Sequence, residues 1–205
     1  VVATPTPIPA PTPTPVPTPT PTPTPSLYTE VGGIITSDTT WSASASPYAI
    51  VSTVQIPEGL TLTIEPGVEV HCVPELEQDD GLMFRIGGNL VANGNEDNLI
   101  IFEQIGSSGC TFFGGTQSMH LNLKHTTLAN LYSVAESGVG GISVEVYDSY
   151  FINIPNHFSF TPMVGKTVLF ERNVFEGLSF SFDPNRDDYE IVFRNNRFSL
   201  ASNHT

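Results

Sequence analysis

The stretches "LNLKHTTL" (121–128), "VEVYDSYF" (144–151), "VLFERNVF" (168–175) and "IVFRNNRF" (191–198) can be written one beneath another. Their first residues lie 23, 24 and 23 positions apart. The first column reads Leu121, Val144, Val168, Ile191, and the third reads Leu123, Val146, Phe170, Phe193. The sixth is small and polar throughout: Thr126, Ser149, Asn173, Asn196. The eighth is Leu128, Phe151, Phe175, Phe198. A repeat of this length is one supersecondary unit that cannot bury its apolar side alone, so the units must stack as a solenoid. Stacked strands lie about 4.8 Å apart, and like residues then form continuous ladders. The first and third positions point inward on the period of two. The sixth column is expected at a turn, because Asn tolerates the left-handed backbone region and bonds locally.

Working outward, the same texture extends toward the N-terminus. "GLTLTIEPGVEVHC" (59–72) alternates apolar and polar residues around a Pro-Gly pair, which reads as strand, tight turn, strand. "GGNLVANGNEDNLIIFE" (87–103) repeats the style, and no segment carries a helical period. The stretch 57–70 fits the pattern P-x-G-x-x-L-T-I-x-P-G-V-x-V, and it follows a segment containing Trp41. With "GNLVANGNEDNLIIF" after it, this arrangement resembles the leading coils of the right-handed parallel β-helix family of secreted and surface proteins. The resemblance covers roughly residues 32–200 and implies an all-β fold: a right-handed single-stranded parallel β-helix with coils of about 23 residues. It implies an extracellular or cell-surface setting. It implies no single activity, because the family includes lyases, adhesins and structural proteins.

Ahead of this body, proline occupies every odd position from Pro5 to Pro25, with Thr at most of the even ones. Proline fixes φ and removes a donor, so the stretch is polyproline II, and the 22 residues from Thr4 to Pro25 reach roughly 70 Å. A period of two on a three-residue turn sets hydroxyls all round. Residues 1–26 therefore read as an extended Thr/Pro-rich tail or linker, and residues 27–205 as the β-helix domain. Thr12, Thr14, Thr18, Thr20, Thr22 and Thr24 are candidates for O-glycosylation. Asn203 opens an N-glycosylation sequon.

The chain carries 21 acidic and 7 basic residues, for a net charge of −14. A polyanion repels nucleic-acid backbones and anionic lipid, so neither is an expected partner. No apolar run is long enough to span a membrane. The chain opens on Val1 without a basic-then-apolar leader, and reads as mature or excised. Cys72 and Cys110 are open to two readings: a disulfide of an oxidising compartment, or two small apolar core residues. Their spacing does not suit zinc.

Catalytic candidates are few. In pectate-lyase-like β-helices an Arg or Lys acts as base beside calcium-binding carboxylates; here Arg172 and Arg194 lie near Asp148 and Glu171. The alternative reading of these residues is a solvated charge ladder, worth little per pair. "DPNRDD" (183–188) places Asp183, Asn185 and Asp187 at alternate positions as a calcium loop begins, but lacks its Gly and its distal Glu. His71, His120, His125, His157 and His204 show no metal-ligand spacing, and His125 is expected to face solvent. Acidic "ELEQDD" (75–80) is expected to protrude as a loop. No enzyme activity, metal or cofactor is expected.

The repeats run to Phe198 with no helix or polar segment to cover the last coil, an edge that invites strand addition, so the expectation is that either the chain continues beyond Thr205 or another subunit acts as the cap. Two functions compete, beside a third reading of the chain as one fragment of a large adhesin. One is a structural subunit that forms a homopolymer, a filament or surface layer, with the tail docked on neighbours or glycosylated. The other is a carbohydrate-binding or lyase-like module on a Thr-Pro spacer, with Tyr132, Tyr147 and Tyr150 as sugar-stacking candidates.

Overall fold

The structure is a computed structural model. It describes residues 27–73, 81–106, 109–115, 119–135, 143–155, 158–160, 167–178, 180–182 and 190–199. The tail, the two acidic stretches at 75–80 and 183–188, His157, His204 and Asn203 lie outside the described residues.

β1 (Thr29–Ile34), β2 (Thr39–Trp41) and the long β3 (Tyr48–Ile56) open the body. Strands then come in threes: β4 (Thr61–Ile64), β5 (Glu69–Cys72), β6 (Leu82–Ile86); β7 (Asn89–Asn93), β8 (Ile100–Gln104), β9 (Thr111–Gly115); β10 (His120–Lys124), β11 (Thr126–Ala129), β12 (Ser133–Ala135). Two more sets follow: β13 (Ser143–Tyr147), β14 (Tyr150–Ile152), β15 (Phe158–Phe160); and β16 (Thr167–Glu171), β17 (Val174–Glu176), β18 (Phe180–Phe182). β19 (Glu190–Arg194) and β20 (Arg197–Ser199) form the last described coil.

Every inter-coil ladder is parallel, as a solenoid requires. One sheet stacks β2, β4, β7, β10, β13, β16 and β19, one strand from each of seven coils. A second face runs from β3 through β5, β8, β11, β14 and β17 to β20. β3 bends, so its start pairs with β5 while its end pairs with β6 on a third face. The columns read from the sequence are the observed registers: Leu121 beside Val144, Val144 beside Val168, Val168 beside Ile191. Leu128, Phe151, Phe175 and Phe198 also fall in one row. This is the all-β parallel β-helix expected from the repeat. Among the described residues no helix is long and apolar enough to cross a membrane.

The core is a single apolar column along the axis. Phe151 and Phe175 stack with ring centroids 4.9 Å apart, Phe175 and Phe198 at 5.0 Å, and Phe170 and Phe193 at 5.1 Å. Such pairs add about 0.5–1.5 kcal/mol beyond area burial. At the N-terminal end Trp41 stacks on Tyr48 at 4.8 Å, and the Tyr48 hydroxyl accepts the Ser42 N–H. The Pro-Gly signals mark real turns. Glu65-Pro66-Gly67-Val68 closes with a Val68 N–H to Glu65 C=O bond, and Gly67 sits at φ +81°, the type II arrangement.

Cys72 and Cys110 are joined, with Cα atoms 6.4 Å apart, and both are fully buried. The bond ties the corner after β5 to the corner before β9, in neighbouring coils.

Candidate functional site

The corner between the first and second faces is built by one repeated device. The fifth column, His125, Asp148, Arg172 and Asn195, holds φ of 46°, 51°, 57° and 53°. The left-handed residue is therefore the fifth position and not the sixth, which corrects the sequence expectation. The reason is what the sixth side chain does. Thr126, Ser149 and Asn173 point inward and are buried. At the sixth position the backbone N–H bonds a side chain of the next coil in place of a carbonyl. The Ser149 N–H donates to Asn173 Oδ1 at 2.9 Å, and the Asn173 N–H to Asn196 Oδ1 at 2.8 Å. Asn173 Nδ2 and Asn196 Nδ2 donate to the carbonyls of Val146 and Phe170, both at 2.9 Å. A buried polar group costs little only when satisfied in this way.

Because the sixth residue turns inward, the fifth is thrown outward, and its side chains line the corner's outer surface. The β7–β8 connection is longer and overhangs it. Asn95 Oδ1 accepts the N–H groups of Asp97 and Asn98, closing an Asx turn that presents Glu96. The result is a groove of about 360 Å³ lined by Glu96, Leu99, His125, Asp148, Tyr150 and Arg172. Tyr150 is 40% exposed beside it.

The structure brings Asp148, Glu171 and Arg172 together. Arg172 Nε donates to Asp148 Oδ1 at 2.6 Å and an NH2 proton to Oδ2 at 2.9 Å, a bidentate pair; NH1 reaches Glu171. The Arg172 hydrogen bonds hold the Asp148 carboxyl below the usual aspartate range. Burial opposes this, and the charges of Arg172, His125 and Lys124 assist it. The same pairing pushes the Arg172 guanidinium upward. A lyase base must be able to give up its proton, and this arginine is held more firmly protonated than a free one. Arg194 lies beside Glu171 in register but forms no ion pair with it among the described residues. Tyr147 is half-buried, and burial first, then Glu145 and Glu171, raises its phenol. It is thus a poor sugar platform, whereas Tyr132 is 50% exposed.

His125 is half-buried at the groove wall and does not stand free in solvent, because the overhanging loop shields it. No group of three or more metal-ligating side chains occurs among the described residues.

A second corner was not read from the sequence. The tenth column, Asn130, Asn153 and Gly177, also holds positive φ, of 57°, 53° and 70°. Asn153 Nδ2 donates to Asn130 Oδ1 at 2.8 Å, and Asn130 Nδ2 to Glu103 at 2.7 Å, an exposed amide ladder beside Tyr132. The signal was present in the same 23- and 24-residue offsets. His71 is buried; its Nε2 lies 3.5 Å from a Glu69 carboxylate oxygen, and its Nδ1 has no hydrogen-bond partner among the described residues.

No family model matches the chain, and neither a curated protein nor a solved structure matches it.

Proposed function

We propose that this chain is a structural subunit of the parallel β-helix kind, which stacks end to end into an extracellular filament or surface layer. The observation that carries the reading is the last described coil. Phe175 is fully covered, whereas Phe198, next in the same stack, is 54% exposed. β19 and β20 are the terminal strands of their sheets among the described residues, and a terminal strand edge is a template for strand addition. The Cys72–Cys110 bond suits an oxidising compartment. The Thr-Pro stretch suits a stiff tether that laces neighbours together or carries O-glycans.

The test is electron microscopy of the native secreted material, with sedimentation velocity on the full chain. Seven coils predict an axial repeat of roughly 34 Å. Regular fibres with that repeat support the reading. A monodisperse monomer at high concentration overturns it.

A second reading, a surface-tethered carbohydrate-binding or lyase-like module, is favoured by the groove at Asp148 and Arg172 with Tyr150 at its edge. Release of unsaturated products from acidic polysaccharides, lost in Arg172→Ala, would support its catalytic form. Inactivity and absence of binding across a broad glycan panel would sink it.

A further inference from the structure

Charge is distributed unevenly along the solenoid axis. Residues 1–110 carry twelve carboxylates and a single basic residue, Arg85, for a net −11; residues 111–205 carry nine and six, for −3. The unevenness is sharpest along the first corner. Near the N-terminal end this corner carries Glu65 and Glu69 around the β4–β5 turn, then Glu96 and Asp97 in the β7–β8 turn, all exposed. Their positions are held. Glu65 accepts the Ala43 N–H, and the Glu69 N–H donates to Ser46 Oγ, which ties both acidic residues to the first coil's corner. In mid-body the corner charges are engaged with one another, since Arg172 is held between Asp148 and Glu171. At the far end Arg194 and Arg197 flank the β19–β20 turn. Both are exposed, and neither forms an ion pair among the described residues. β19 also bears Glu190, but at its opposite end, four residues or roughly 13 Å from Arg194.

From this polarity we infer that the partner of the last described coil is a second copy of this chain, docked head to tail, with Arg194 and Arg197 set over Glu65 and Glu69. The inference rests on the end-to-end stacking proposed above and adds its direction and its contacts. If β19 of one copy continues onto β2 of the next at the ordinary strand spacing, the β4–β5 corner lies about 10 Å farther along the axis. Arginine side chains reach across much of that distance, and what remains is within a Debye length at about 0.1 M salt. Head-to-head contact would bring two acidic corners together, and tail-to-tail contact two pairs of arginines. Only the head-to-tail arrangement is attractive. It is heterologous and does not close by itself, so it propagates as an open filament. The apolar end of the Phe198 stack supplies area, and the corner charges supply direction and register.

The experiment uses the full chain, with association followed by light scattering and sedimentation velocity from about 0.05 to 0.5 M NaCl. Wild type should assemble and weaken as salt rises. R194E/R197E should weaken association at low salt by about tenfold or more, and E65K/E69K likewise. An equimolar mixture of the two variants should recover a complex, because an acidic tail then meets a basic head. R194Q/R197Q, the milder pair, should fall between. Far-ultraviolet circular dichroism checks that each variant keeps its strand content. Salt-insensitive assembly that the double reversal leaves unchanged would overturn the head-to-tail inference while leaving stacking intact. Wild type that stays monomeric under all conditions would overturn both.

Discussion

From β10 onward each coil takes 23 or 24 residues, whereas the two steps before it are longer: Thr61 pairs with Asn89, 28 residues on, and Asn89 with His120, 31 on; the first step, Thr39 to Leu62, is again 23. The two regions hold neighbouring coils together by different means. The later coils use tight left-handed corners, a buried Thr/Ser/Asn ladder and stacked phenylalanines. The second and third coils have longer connections, and there the Cys72–Cys110 bond and edge-to-face contacts of Phe84 with Phe102 and Phe112 join neighbours. A short corner can repeat a ladder because every coil places the same atom in the same place. A long connection loses that register, and a covalent tie between coils replaces it.

The largest expected effect breaks the regular half. Phe170 is fully buried against Phe151, Phe175 and Phe193, so Phe170→Ala should cost about 3–5 kcal/mol in denaturant unfolding. A loss below about 1 kcal/mol would mean that the ladder is not what holds these coils.

Next comes the staple. The disulfide spans 38 residues, and Cys72→Ser with Cys110→Ser should cost about 4 kcal/mol on the loop-entropy account. Hydrogen exchange should rise in β5 to β9 and little beyond β13, since solenoid coils feel mainly their neighbours. Uniform loosening would show that the two halves form one cooperative unit and weaken the contrast drawn between them.

A smaller effect sharpens the corner. Asn173→Ala removes the acceptor of the buried Ser149 N–H and the donor to Val146 C=O, at a cost of about 1–3 kcal/mol. Asn173→Ser should recover part of this, because serine already serves at position 149.

The smallest concerns the outer surface. The Asp148 carboxyl is depressed by Arg172, so its contribution is present above the unfolded-state aspartate pKa and is lost as pH falls through the lower folded value. Thermal melts of wild type and Asp148→Asn should differ by no more than about 2 °C at pH 7 and converge below about pH 3. A difference that persists at low pH would assign the residue a role in the left-handed turn instead of in the ion pair.

The later coils were legible in the sequence because stacking aligns identical positions: Leu121, Val144, Val168 and Ile191 had to match in character to share one row. The columns did not reveal which position takes the left-handed backbone. His125, Asp148 and Arg172 are unlike residues with one φ, and their chemistry gives no hint of it. Nor did the linear text show that Glu96, some 50 residues before Asp148, overhangs the same groove. That follows from two superposed coils and a loop held by Asn95.

By itself the sequence determined the period, the parallel stacking and the inward columns, because these depend on patterns that repeat locally. The tertiary structure decided the corner geometry, the joining of Cys72 to Cys110, the pinning of Arg172 between two carboxylates and the alignment of acidic and basic residues along one edge. These depend on which residues of different coils meet. Turns of unequal length set that meeting, and linear distance does not record it.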